Sequence, residues 1–216
     1  MSSPQDSLLQ LLATHSFRLG DFTLASGQRS DYYIDCRITT LHAEGGRLAG
    51  IVLLDLIRQH CPGAVAVGGL TMGADPLVSN IASASAWELA DYNEFLQLAP
   101  DDDHGDPPTL LHGFLVRKAE KTHGTGRRVE GFLEAGAQVV IVDDVCTTGG
   151  STITALEAAR DAGMKVVGVF CLVDREQGGR QKIEQALAEI APDAGIPFVS
   201  VFTANDIRNA KASLQS

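Results

Sequence analysis

Two adjacent carboxylates, Asp143 and Asp144, stand between an apolar run at 139–142 and a run of hydroxyls and glycines, Thr147-Thr148-Gly149-Gly150-Ser151-Thr152. The acids suit neighbouring hydroxyl groups such as those of a ribose. The glycines let the backbone approach a phosphate closely, and the hydroxyls add donors. A helix that begins here presents unpaired amides and a partial positive charge to an anion. One ligand satisfies both halves: a sugar phosphate. Two nucleotide motifs that mimic this pattern are missing, since the chain has no GxxxxGK[ST] segment and no GxGxxG at this turn. A plain strand–turn–helix with an acidic N-cap region is the competing structural reading.

A second segment complements the first. Residues 117–128 carry Arg117, Lys118, Lys121, Arg127 and Arg128, five of the 17 Lys and Arg residues, together with His123 and two glycines. Without apolar periodicity this reads as a mobile loop, whose bland alternative is a solvated basic loop with no task. Dense positive charge beside a sugar-phosphate site suits an anionic leaving group, whose negative charge grows as its bond to the sugar breaks. A cationic loop folded over the site would assist that departure and keep water from an oxocarbenium-like carbon. Mg²⁺ commonly shares such charge on phosphorylated substrates. No side-chain nucleophile is needed.

The elements that must position these groups follow from patterning. Residues 139–142, all β-branched, suit a buried parallel strand with the two acids at its C-terminal end, and 153–162 a following helix. Ligands of open α/β sheets sit beyond such strand ends. Further strands are predicted over 64–68, 110–116, 165–173 and 197–202, and helices over 5–14, 44–60, 76–89 and 180–190. Asn205 and Asp206 are placed to cap a short last helix. Residues 17–37 predict a hairpin around Ser26-Gly27. Strands alternating with helices give an α/β fold with a mostly parallel sheet flanked by helices.

The net charge is −10, from 17 basic against 27 acidic side chains, which argues against nucleic acid as a partner. No apolar run approaches membrane-spanning length, and the first residues lack the pattern of a secretory signal. Cys36, Cys61, Cys146 and Cys171 form no CxxC pair, so free thiols in the cytoplasm are expected. Cys146 reads as a small side chain at its turn rather than a redox thiol. Segment 100–108, PDDDHGDPP, reads as an exposed acidic insertion rather than a metal site built from Asp101, Asp102, Asp103, His104 and Asp106.

The stretch VVIVDDVCTTGGST closely resembles the phosphoribosyl pyrophosphate (PRPP) signature of type I phosphoribosyltransferases. Residues 22–35, FTLASGQRSDYYID, look like the N-terminal signature of orotate phosphoribosyltransferases, and RKAEKTHG at 117–124 is similar to their flexible catalytic loop. Val173-Asp174-Arg175 extends the likeness. The resemblance implies a type I core at 41–216, with flexible loop 117–128, under a small N-terminal hood at 1–40. It implies transfer of ribose 5-phosphate from PRPP to orotate, giving orotidine 5′-monophosphate and pyrophosphate. By the same likeness Arg117, Lys118, Lys121 and His123 bind the pyrophosphate portion, some of them reaching across a homodimer interface. Lys121, Arg117 and His123 would be catalytic. Asp143, Asp144, Val145, Cys146, Thr147, Thr148, Gly149, Gly150 and Ser151 would hold the ribose phosphate, and Thr147, Arg175, Tyr33 and Ile34 would lie at the orotate. Mg²⁺ is implied as a cofactor carried mainly by PRPP, with no direct protein ligand. Two departures stand out: Ala25 and the turn Met72-Gly73-Ala74 lie where many members have lysine. The rival readings are a purine phosphoribosyltransferase and a non-catalytic PRPP-sensing regulator that binds nucleic acid.

Overall fold

The computed structural model describes residues 2–23, 29–99, 104–118 and 128–215. Its centre is a six-stranded sheet of β3 (Ala66–Leu70), β4 (His112–Val116), β5 (Val129–Gly131), β6 (Gln138–Cys146), β7 (Lys165–Asp174) and β8 (Phe198–Thr203). The strand order is β5-β4-β3-β6-β7-β8, parallel throughout except for the antiparallel β4–β5 pair. A separate antiparallel pair, β1 (Phe17–Thr23) and β2 (Arg29–Ile34), forms the N-terminal hairpin, and its turn lies outside the described residues.

The run at 139–142 is apolar at every position because both faces of β6 are covered. Val140 and Val142 join Phe170 and Leu172 in a core with Leu53 and Ile57 of helix α3 (Ala43–His60), which follows the short helix α2 (Arg37–Thr40), and Leu77 and Ile81 of helix α4 (Asp75–Leu98). The same core takes in Leu8 of α1 (Pro4–Leu11) and Ile207 of α7 (Ala204–Ser213). On the other face Val139 and Ile141 meet Leu156 of α5 (Gly150–Asp161) and Ile183 and Leu187 of α6 (Gly179–Ile190). A one-residue slip of β6 would exchange these two sets, so the strand's register is fixed from both sides.

Several elements depart from the sequence reading. Helix α1 ends at Leu11 and passes into a π-helical turn at Leu12–Ser16, after a capping box between Ser3 and Asp6. Helix α4 runs to Leu98 rather than 89, because the residues beyond Leu89 hold no breaker before Pro100. Strand β5 is three residues long, too short to leave a period, and exists through pairing with β4. The last helix is capped by Thr203, whose hydroxyl and backbone exchange bonds with Asp206. Asn205 caps nothing; its amide donates to Glu176 Oε2 at 2.7 Å. The acids Asp143 and Asp144 lie within β6 itself, which continues to Cys146.

Candidate active site

The β6–α5 junction builds the cradle. Gly149 is the N-cap of α5 with φ +79°, and a Cβ there would lie 3.0 Å from both Gly179 O and Ile183 Cγ1. A side chain at 149 would therefore meet both backbone strain and the α6 wall. Thr148, Gly150 and Ser151 are exposed around the helix start, whose first amides have no intrahelical partner. Thr147 is half-buried, while the Cys146 side chain is buried in the layer beneath α5 and α6, its sulfur against Gly179.

The two acids face different surroundings. Asp143 is 6% exposed; its Oδ2 accepts from Thr152 Oγ1 at 2.7 Å and its Oδ1 from Asp144 N at 3.1 Å. Burial pushes its carboxyl up to about 7, against the opposing pull of the Thr152 hydroxyl. Asp144 is half-buried and accepts from Val145 N at 3.0 Å. Burial raises its carboxyl as well, and the Val145 amide and the Arg37 guanidinium counter that rise. Turn 71–74 packs directly on Asp144, so closely that a Cβ at Gly73 would collide with the carboxylate. A longer side chain at 73 would require Asp144 to move, which accounts physically for glycine there.

Arg37 was not singled out by sequence. Its Nε and Nη2 grip Asp35 at 2.9 Å each, just after the hairpin, and its charge reaches Asp144. The spacing Asp35-x-Arg37 directly after a strand was the signal available.

Arg175 sits at the adjoining strand end. Its amide donates to Cys146 O at 2.9 Å, tying the end of β7 to that of β6. The residue is 8% exposed, with Nε 3.5 Å from Tyr32 Oη and Nη2 3.4 Å from Ser30 Oγ. Its guanidinium lies over the Tyr32 ring at 4.8 Å. Among the described residues no carboxylate pairs with it. Of the hairpin residues predicted beside the base, Ile34 is buried in the core and Tyr33 is 40% exposed, its ring tilted against Phe22. Tyr32, on the same strand face as Ile34, is the aromatic that meets Arg175. Two-residue alternation along β2 would have picked it out.

At the mouth of the basic loop, Arg117 N donates to Arg128 O at 2.9 Å and Arg117 Nε lies 3.2 Å from Glu130 Oε1. Lys118 is exposed, and Lys121 and His123 lie outside the described residues. The described strand ends thus bring together the cradle, Asp144, Arg37 and Arg175, with Arg117 at the loop's base.

A mostly parallel sheet whose central strand ends in two acids and a Thr/Gly turn at a helix start is the architecture of a phosphoribosyltransferase core, and the family model described as the phosphoribosyl transferase domain matches residues 115–193. A curated relative, the orotate phosphoribosyltransferase of Synechocystis sp., is 40% identical over 202 residues, 93% of this chain and 87% of that one. The chain belongs to the orotate phosphoribosyltransferase family. The Mycobacterium tuberculosis H37Rv orotate phosphoribosyltransferase in complex with Fe(III) dicitrate superposes with a TM-score of 0.71 at 34% identity, covering 95% of this chain and 99% of that one. Its complex with PRPP gives 0.65 at 30% identity over 95% and 99% of the two chains.

Proposed function

We propose that this chain transfers the ribose 5-phosphate group of PRPP to orotate, yielding orotidine 5′-monophosphate and pyrophosphate for pyrimidine nucleotide synthesis. The observation that carries the choice of base is Arg175, a buried cation lying over the Tyr32 ring with two hydroxyls at 3.4 and 3.5 Å. A buried guanidinium without a counter-ion favours an anionic ligand, and a planar carboxylate matches its fork. Thr147, Tyr33 and Ile34 complete the base subsite in this reading. Residues 143–151 hold the ribose phosphate, with Asp144 the more accessible of the two acids. In the reaction the C1–oxygen bond to pyrophosphate breaks, N1 of the base bonds to C1, and the N1 proton leaves to solvent. Arg117, Lys118, Lys121 and His123 draw off the pyrophosphate, and the closing loop excludes water.

Mg²⁺ fits this arrangement as a passenger of the pyrophosphate. In this reading the pyrophosphate supplies most of the ion's ligands, and Asp144 is the half-buried carboxylate within segment 143–151. When bound, the ion would neutralise phosphate charge. The remaining readings are a hood at 1–40 over a core at 41–216, a homodimer sharing loop 117–128, and a cytoplasmic location. Among the described residues no helix is long and apolar enough to cross a membrane. The test is consumption of PRPP with a panel of bases: orotate- and Mg²⁺-dependent release of pyrophosphate is expected. Turnover of adenine or xanthine without orotate would overturn the reading.

A further inference from the structure

The base subsite is braced from an unexpected direction. Arg208, on helix α7 near the end of the chain, reaches the N-terminal hairpin and takes both oxygens of Asp31, at 2.9 and 3.0 Å. Its guanidinium also lies over the Tyr32 ring, 5.1 Å from the centroid. Tyr32 is the ring against which Arg175 lies, and Phe17 stacks on it at 5.4 Å. Two guanidinium groups therefore share one aromatic ring. Asp31 neutralises Arg208, so the pair of cations does not add up to a repulsion that would drive Arg175 out.

The hydrogen bonds to Arg175 are long, 3.4 Å from Ser30 Oγ and 3.5 Å from Tyr32 Oη, at the margin where such bonds steer rather than hold. They do set direction. The Ser30 hydroxyl spends its proton on Tyr32 O at 2.7 Å and accepts from Tyr32 N at 3.4 Å, so one lone pair is left for Nη2. With Nε and one Nη2 proton so occupied, the Nη1–Nη2 end of the fork remains for a ligand. What keeps this geometry is the position of the Tyr32 ring.

We infer that Arg208, clamped by Asp31, is a positioning residue that presses Tyr32 onto Arg175 and so aims the guanidinium at the carboxylate of the base. This rests on the proposed assignment of Arg175 to orotate. It gives the last helix of the chain a part in base recognition that neither its sequence nor its distance from the cradle suggests.

Steady-state kinetics with each substrate varied will test it on Arg208→Ala, Asp31→Asn, Arg175→Ala and the Arg208→Ala/Arg175→Ala pair. Arg208→Ala should raise the KM for orotate by about fivefold, the scale of one partly desolvated cation–π contact, with the KM for PRPP unchanged. Asp31→Asn should shift orotate KM in the same direction. In the Arg175→Ala background the effect of Arg208→Ala should vanish, because both act through one group. An unchanged orotate KM in Arg208→Ala, equal rises for both substrates, or additive losses in the pair would overturn the positioning role alone. A normal orotate KM in Arg175→Ala would instead remove the assignment of Arg175, and the inference with it.

Discussion

Replacing Asp143 with asparagine removes a charge while every hydrogen bond can remain. The amide oxygen can accept from Asp144 N, as Oδ1 does now, and the amide nitrogen can donate to Thr152 Oγ1, whose own proton turns elsewhere. In the folded chain burial pushes this carboxyl up to about 7, against 3.8 for the ordinary group. Between those two values the folded protein holds a proton on Asp143 that the unfolded chain has released. Linkage then makes wild-type stability fall as pH rises through this window, by about 1.4 kcal/mol per pH unit and by roughly 4 kcal/mol in total. The contribution is fully present below the unfolded value and lost once pH passes the folded one. Asparagine does not titrate, so Asp143→Asn should match the wild type near the acid end and exceed it increasingly towards neutrality. Urea unfolding followed by circular dichroism from about pH 5.5 to 8.5 measures the gap, since the carboxylates other than Asp144, which loses a charged neighbour in the variant, are common to both proteins. It should widen by about 2 kcal/mol up to neutral pH and then stay level. Parallel curves, or a variant less stable at pH 8, would refute the claim that folding penalises the Asp143 charge.

Two further outcomes are expected. Gly149→Ala should lose roughly 1–3 kcal/mol of stability from the left-handed backbone and the contact with Ile183, read as a lower urea midpoint with unchanged slope. Lys121→Ala should lower kcat by about a hundredfold or more if its charge meets the departing pyrophosphate, while the thermal midpoint stays within a degree or two; an unchanged kcat removes it from the transition state.

The central strand and the cradle were legible because both depend on local signals. An apolar run flanked by acids and a Thr/Gly turn declares a strand end and a helix start without reference to the rest of the chain. Strand β5 was not legible, since three residues carry no period and their pairing partner lies across the basic loop. Beside Arg175, which the sequence marks only through the resemblance carried by Val173-Asp174-Arg175, stands Tyr32, an aromatic that the resemblance at Tyr33 and Ile34 does not name. Tyr32 and Tyr33 look alike as letters, and strand alternation decides which one turns inward. Arg208 and Arg37 carry little sequence signal, for different reasons. The first acts over a separation of 177 residues from Asp31, and the second shows only as the pair Asp35-x-Arg37 after a strand, whose reach to Asp144 needs the fold.

The antiparallel pairing of β4 with β5 has an evolutionary consequence. Arg117 and Arg128 are joined backbone to backbone, so the segment between them leaves and re-enters the sheet at a single closed seam. Closing a chain on itself costs little more when residues are added, about 0.6 kcal/mol for each doubling of length. Insertions and deletions between 117 and 128 are thereby insulated from the sheet. Descendants of this chain can change the length of that stretch without disturbing the strand pairing, so long as the basic residues proposed to meet the pyrophosphate are kept.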